Sequence, residues 1–261
     1  MRQEYEQASD MIAMLWQQGE VLDALPPELK PATRVDGYVI QSGLERYSSA
    51  PRYGWKIAAT SVAGQRHIGV DGPLAGRLFA ERIYRDGAVV SIAGNRMRVA
   101  EPEFAFRFGQ DLPPRDEPYT VDEVMNAVAN LHLTLELPDS RFADFASVGG
   151  PALIADNACA HDLVVGPPVP ADWRAMTLAA HRVTASVAGK FDREGGGGNV
   201  LGDPCEALLW LANELSALGI GLRRDELVTT GACVQPLEIV EGDRVAADFG
   251  VLGQIGVTIA G

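Results

Sequence analysis

The chain has 261 residues, 47% of them hydrophobic, enough to bury one sizeable core, and no apolar run is long enough to span a bilayer. Its 35 acidic and 22 basic residues give a formal net charge of −13, so the average surface field repels nucleic acid and anionic lipid, and neither is expected as a partner. The opening MRQEYEQASD lacks the basic start and apolar stretch of a signal peptide, and a cytoplasmic location is expected. Three scattered cysteines, Cys159, Cys205 and Cys233, suit small buried residues better than a disulfide framework or a zinc site. Only three of the basic residues are lysines, Lys30, Lys56 and Lys190. Each is informative because lysine, unlike arginine, can give up its proton in a working protein.

The first 50 residues read as a helical segment and residues 51–261 as one mixed α/β unit. Residues 4–18 form an amphipathic helix with Met11, Ile12, Leu15 and Trp16 on its apolar face, closed by Gly19. A second helix is predicted over 32–49, beginning after Pro31 and including Val35, Tyr38, Val39 and Leu44. From Tyr53 the pattern changes to short strands and glycine turns, with strands at 54–58, 88–93, 97–108 and 131–137. Thr120 and Glu123 are spaced as a capping box, opening a helix to about Asn130. Asp203 and Pro204 open another, with Leu208, Leu211 and Leu215 as the buried stripe and Gly219 as the stop. The tail from Leu227 is strand-rich, with turns at Glu241-Gly242-Asp243 and Phe249-Gly250. The glycine run 195–198 has no Gly-Lys-Ser/Thr continuation, which excludes a nucleotide phosphate loop. It reads either as a flexible surface loop or as a mobile segment at the mouth of a site.

Two strands carry the chemistry. In Arg98–Phe108, alternation puts Glu101, Glu103, Ala105 and Arg107 on one face and Pro102, Phe104, Phe106 and Phe108 on the other. The two glutamates are then ~7 Å apart at their Cα atoms. In Leu131–Leu137, four leucines form one face, and His132, Thr134 and Glu136 form the other. If the strands are neighbours, three carboxylates converge, a donor set suited to a hard ion such as Mg²⁺ or Mn²⁺. The same pattern would arise from two half-exposed strands with solvated glutamates.

An ordered series of segments resembles the 2-keto-4-pentenoate hydratases of the fumarylacetoacetate hydrolase superfamily over nearly the whole length. It runs through Gly54-Trp55-Lys56-Ile57, Thr60-Ser61, Ile68-Gly69-Val70-Asp71-Gly72-Pro73, Glu101-Pro102-Glu103-Phe104-Ala105-Phe106 and Asp111-Leu112-Pro113. It continues with Glu136-Leu137-Pro138-Asp139-Ser140-Arg141, Ile154-Ala155-Asp156-Asn157-Ala158, Leu201-Gly202-Asp203-Pro204, Trp210-Leu211-Ala212-Asn213, Thr230-Gly231-Ala232 and Glu241-Gly242-Asp243-Arg244-Val245. The resemblance implies a mixed α/β fold with a rolled, barrel-like β-sheet core and peripheral helices. It implies a divalent metal, Mg²⁺ or Mn²⁺, on Glu101, Glu103 and Glu136, and catalytic roles for Lys56 and Asp71. It also implies substrate contacts from Ser140, Arg141 and Thr230, and a homo-oligomer, alone or in complex with a pathway enzyme. The sequence departs from the family at Pro102, where a kink between the two glutamates is expected, at Leu137-Pro138, at Ala58, and at Leu74-Ala75, which replaces an Asp-Phe pair.

The implied substrate is a small 2-keto or 2-enol acid, and the implied reaction is hydration of a 2-hydroxy-2,4-dienoate to a 4-hydroxy-2-oxo acid. The alternative is decarboxylation of a 2-oxo-3-enedioate, which needs a cation for the far carboxylate, with Arg52 and Arg141 as candidates. A third reading is an inactive structural partner. The Glu–His pair used by C–C bond hydrolases of the superfamily is absent near the start, which counts against hydrolysis.

Overall fold

A computed structural model of the chain describes residues 2–261. In chain order its first elements are α1 (Gln3–Gln18), α2 (Arg34–Gly43), β1 (Gly54–Ala58), α3 (Val62–His67), β2 (Leu74–Leu78), β3 (Ile83–Arg85), β4 (Val89–Ser91) and β5 (Val99–Phe108). Next come α4 (Val121–Ala127), β6 (Val128–Leu137), α5 (Gly150–Ala155), β7 (Asp162–Pro168), β8 (Arg182–Val187), β9 (Phe191–Gly196) and α6 (Pro204–Ala217). The tail supplies β10 (Leu227–Ala232), β11 (Leu237–Glu238), β12 (Arg244–Asp248) and β13 (Gln254–Ala260). None of the described helices is long and apolar enough to cross a membrane.

The larger sheet runs in the order β2-β1-β10-β5-β6-β7-β3, with β11 also paired to β5. A smaller sheet, β4-β13-β12-β8-β9, covers its apolar face. There Phe104 meets Phe249 edge-on at 5.1 Å between ring centres, and the Phe106 ring lies against Trp173. This is the phenylalanine face expected from strand alternation. The opposite face of β5 and β6 is also buried, through Glu103, Thr134, His132 and Glu136. Two half-exposed strands with solvated glutamates are therefore ruled out.

Local signals set most element ends. Gly19 closes α1 with φ +66°, its N–H donating to the Leu15 carbonyl. Helix α2 begins at a Thr33–Asp36 capping box rather than directly after Pro31, and passes into a 3-10 turn at Leu44–Tyr47. On α2, Val35 is exposed, whereas Tyr38, Ile40 and Gln41 are buried. The Thr120–Glu123 box opens α4 as predicted. That helix stops at Ala127, earlier than Asn130, because β-branched Val128 turns extended and pairs with Phe108. The strand expected over 88–93 narrows to three residues. Helix α1 packs on α2 and α2 on α5, with Ile12, Ile40, Phe142 and Ala152 in one cluster, so the N-terminal segment shares a core with the rest.

Two expectations are corrected. Pro102 does not kink β5, which stays in register with β6 from Glu101 to Arg107. The Pro102 carbonyl accepts from Cys233 N–H, so its proton-less nitrogen faces the same side. On that side β10 has shifted register, and β11 pairs only from Ala100 onward, so no ladder bond is lost. The glycine run is not a loose loop. Gly195 and Gly196 end β9 in register with β8, and Gly197 starts a 3-10 turn. A Cβ on Gly197 would lie 2.1 Å from the Leu178 carbonyl oxygen, and one on Gly195 would lie 2.2 Å from that of Cys233.

Gly197→Ala should therefore destabilise the protein by about 1–3 kcal/mol, the usual cost of overpacking. That is a fall of about 2–4 °C in Tm per kcal/mol for a chain of this size. An unchanged Tm in a thermal melt would contradict the packed-joint reading.

Candidate metal centre

Strand pairing brings the glutamates together. Glu101 stands directly opposite Glu136 across β5 and β6, and Glu103 stands opposite Thr134 on the same face. One carboxylate oxygen from each of Glu101, Glu103 and Glu136 lies within 4.8 Å of the others. Glu103 and Glu136 are each 1% exposed, and Glu101 is half-buried. On β1, Lys56 pairs with Thr229 of β10, which pairs with Ala105 of β5, so Lys56 faces the same side as the carboxylates. Its ammonium lies 3.0 Å from Glu136 Oε1 and donates to the Ala158 carbonyl at 3.0 Å.

The charges do not balance. One ammonium faces three carboxylates in a medium that penalises net charge. Burial pushes the Glu101 carboxyl up to about 7, reinforced by the charge of Glu136 and opposed by Lys56. Burial, then Glu136 and Glu101, raise Glu103 well above the ordinary range, although Gly231 N–H donates to its Oε2 at 2.8 Å. Glu136 is raised by burial and held down in part by Lys56. Burial works against the Lys56 charge, but Glu136, Glu101 and Glu103 outweigh it and hold the lysine above its ordinary value. Glu103 Oε1 and Glu136 Oε2 are buried without a hydrogen-bond donor, and the only cation beside Glu136 Oε1 among the described residues is the Lys56 ammonium. A divalent cation fits this set: hard oxygen donors, converging, with open lone pairs and surplus negative charge.

The remaining predicted residues fall in different places. Asp71 is exposed on the bend before β2 and makes no ion pair among the described residues. Ser140 donates to Asp156 Oδ2 at 2.6 Å and accepts from Phe142 N–H, and Thr230 donates to the Phe104 carbonyl, so both hydroxyls lock the backbone. Arg141 is buried in an ion pair with Asp139, its guanidinium over the Trp16 ring. Arg52 lies on the wrong side of β1 to serve the site. It stacks on Trp55, whose side chain opposes that of Lys56, and pairs with Glu45 and Glu226. It lines a separate cleft of about 630 Å³ with Arg77, Tyr38 and Leu222. Sequence reading missed Thr229. Its fully buried Oγ1 has no partner, and its register places it on the Lys56 face. In the Thr229-Thr230 pair only the strand register says which side chain faces the site. Asp156 was missed as well: burial pushes its carboxyl up to about 7, and its Oδ1 has no donor.

A rolled α/β sheet with three converging glutamates and a buried lysine defines a cation-seeking acidic centre. No family model matches the chain. It is 31% identical over 256 residues to a 2-keto-4-pentenoate hydratase of Paraburkholderia xenovorans, covering 97% of this chain and 94% of that protein. It is 34% identical over 193 residues to a 2-hydroxyhexa-2,4-dienoate hydratase of Comamonas testosteroni, covering 73% and 72%. Its fold matches that of 4-oxalocrotonate decarboxylase from Pseudomonas putida G7, complexed with magnesium and adipate. The TM-score is 0.90 at 22% identity, over 99% of this chain and 98% of that one. The chain belongs to the 2-keto-4-pentenoate hydratase family. Its fold is the fumarylacetoacetate-hydrolase-like one that the motif series implied.

The raised carboxyls set a pH dependence for the metal-free protein. A carboxyl at about 7 in the folded state and 4.5 otherwise keeps its proton where the unfolded chain has lost it. This contribution to stability therefore declines as pH rises from about 4.5 through about 7. A bound cation offsets the loss only where the carboxylates are ionised. The thermal shift produced by saturating Mg²⁺ should be larger at pH 8 than at pH 5. An equal or smaller shift at pH 8 would contradict the charge assignment.

Proposed function

We propose that the protein is a divalent-metal-dependent hydro-lyase that converts a 2-hydroxy-2,4-dienoate to a 4-hydroxy-2-oxo acid. The single observation that carries this reading is the buried Glu101–Glu103–Glu136 cluster with its surplus negative charge beside Lys56. Glu101, Glu103 and Glu136 would hold the cation, which would supply Lewis-acid stabilisation of the negative charge that develops on a 2-oxo acid. Mg²⁺ or Mn²⁺ suits the all-oxygen donor set.

The protein's own groups then place protons and water. In ketonisation the 2-hydroxyl loses a proton and the far carbon of the diene gains one. Water next adds across the remaining conjugated double bond, its hydroxyl at C4 and its proton at C3. Lys56 is the buried ammonium at the cluster. It binds the substrate carboxylate or passes a proton, both of which its three donors allow. Asp71, exposed on its bend, moves protons only if the segment between β1 and β2 folds over the bound substrate. Thr229 offers its free hydroxyl on the same face. An inert partner would gain from losing this charge cluster, because replacing buried ionic groups with apolar ones is often neutral or stabilising. Assembly as a homo-oligomer is part of the proposal and rests on family membership.

Incubation with Mg²⁺ and 2-hydroxypenta-2,4-dienoate should give the 4-hydroxy-2-oxo acid by NMR. A 2-oxo-3-enedioate should remain undecarboxylated, because Arg52 is held away from the site and Arg141 is committed to Asp139. Loss of CO2 from the enedioate with no hydration of the dienoate would replace hydratase by decarboxylase. Lys56→Met should keep the fold and lower kcat by on the order of a hundredfold. A wild-type rate would remove Lys56 from the chemistry.

A further inference from the structure

Three consecutive non-glycine residues, Asn157, Ala158 and Cys159, have left-handed backbones, with φ of +59°, +50° and +60°. Left-handed conformations occur routinely as single residues in turns, and for residues other than glycine, asparagine and aspartate they are costly. A run of three persists only where surrounding contacts impose it, and such strain clusters at functional sites. Two sets of contacts impose it here.

The first is a clamp on β2. Asn157 Oδ1 accepts from Arg77 N–H at 2.6 Å, and its Nδ2 donates to the Arg77 carbonyl at 2.8 Å. One fully buried side chain thereby takes up both backbone groups of a strand residue, as another strand would. The second is close packing. Gly76 stands directly opposite Lys56 across β1 and β2. A Cβ there would lie 2.3 Å from the Asn157 carbonyl oxygen and 3.0 and 3.1 Å from Lys56 Cγ and Cδ. The turn and the lysine stem thus share the space that Gly76 leaves open. The far end of the turn is tied to the end of β6, where Asp139 N–H donates to the Cys159 carbonyl. The outcome is a single carbonyl, that of Ala158, accepting from Lys56 Nζ at 3.0 Å while the same ammonium lies 3.0 Å from Glu136 Oε1.

We propose that the left-handed turn Asn157-Ala158-Cys159, clamped to β2 by the Asn157 side chain, is a positioning device for Lys56. It rests on the catalytic reading of Lys56 given above. A lysine stem has four rotatable bonds, and beside three carboxylates its ammonium has several acceptors to choose from. The Ala158 carbonyl selects one position beside Glu136, leaving the third N–H for substrate. Asn157 touches neither substrate nor metal in this scheme and acts only through the carbonyl that it places.

The test is a double-mutant cycle with Mg²⁺-loaded enzyme and 2-hydroxypenta-2,4-dienoate. Asn157→Gly permits the left-handed backbone but removes both clamp bonds. It should lower kcat at least tenfold with KM changed less than threefold. In the Lys56→Met background it should cost less than a further twofold, because the group it serves is gone. Asn157→Asp keeps the acceptor for Arg77 N–H, and its kcat should fall between wild type and Asn157→Gly. It also takes the place of the glycine variant in the cycle if that variant does not fold. An independent readout uses the small lysine count. Acetic anhydride labelling of the native, metal-free protein, read by mass spectrometry, should rise severalfold at Lys56 in Asn157→Gly, with Lys30 and Lys190 unchanged. A wild-type rate and unchanged Lys56 labelling in Asn157→Gly, beside a crippled Lys56→Met, would overturn the positioning role alone. So would an equal fractional loss in both backgrounds. A wild-type rate in Lys56→Met would overturn the catalytic reading, and this proposal with it.

Discussion

The structure is organised around a buried charge imbalance. Glu101, Glu103 and Glu136 face one another on neighbouring strands with Lys56 as the ammonium beside them. Three carboxylates in a buried site are costly unless paired, and the carboxyls are raised accordingly. The fold holds the imbalance by brute packing. Phe104, Phe106 and Phe108 on the opposite face of β5, and four leucines on that of β6, anchor the strands to the smaller sheet. An apolar face that can pack only one way fixes which way the other face points. The glutamates have no alternative orientation, and the site is preorganised at the expense of local stability.

The same constraint explains the irregular backbone around the cluster. β10 shifts register between Thr229 and Ala232, opposite Ala105 and Glu103, and Gly231 within that irregularity turns its N–H to Glu103. Pro102 is accommodated because its nitrogen faces the interruption. The left-handed turn after α5 presents the Ala158 carbonyl to Lys56. The β10 irregularity and the left-handed turn each deliver a backbone dipole to a charged side chain of the site. This is a pattern expected of a site in which local strain is offset by the scaffold around it.

Much of this was legible in the sequence because it followed from period and local chemistry. The Glu101/Glu103 and Phe104/Phe106/Phe108 faces followed from strand alternation, and the Thr120 and Asp203 caps from spacing. Other features depended on register between distant strands, which no local pattern encodes. Thr229 shares a face with Lys56 only because β10 runs parallel to β1 in one particular pairing. Asn157 matters because Gly76 leaves room for its carbonyl, a contact across some eighty residues of sequence. Arg52 was offered to the far end of the substrate because charge alone does not reveal which side of Trp55 it occupies. The glycine run at 195–198 read as loose because glycine serves flexibility and tight contact equally, and here it serves contact.

The central claim is that the three glutamates hold one divalent ion between them. Anomalous diffraction from crystals soaked in Mn²⁺ tests it most directly. The account predicts one strong peak per chain within bonding distance of an oxygen from each of Glu101, Glu103 and Glu136, with the Lys56 ammonium beside it but not bound to it. A peak elsewhere, or a site left without a peak while Lys56 folds in among the carboxylates, would contradict it.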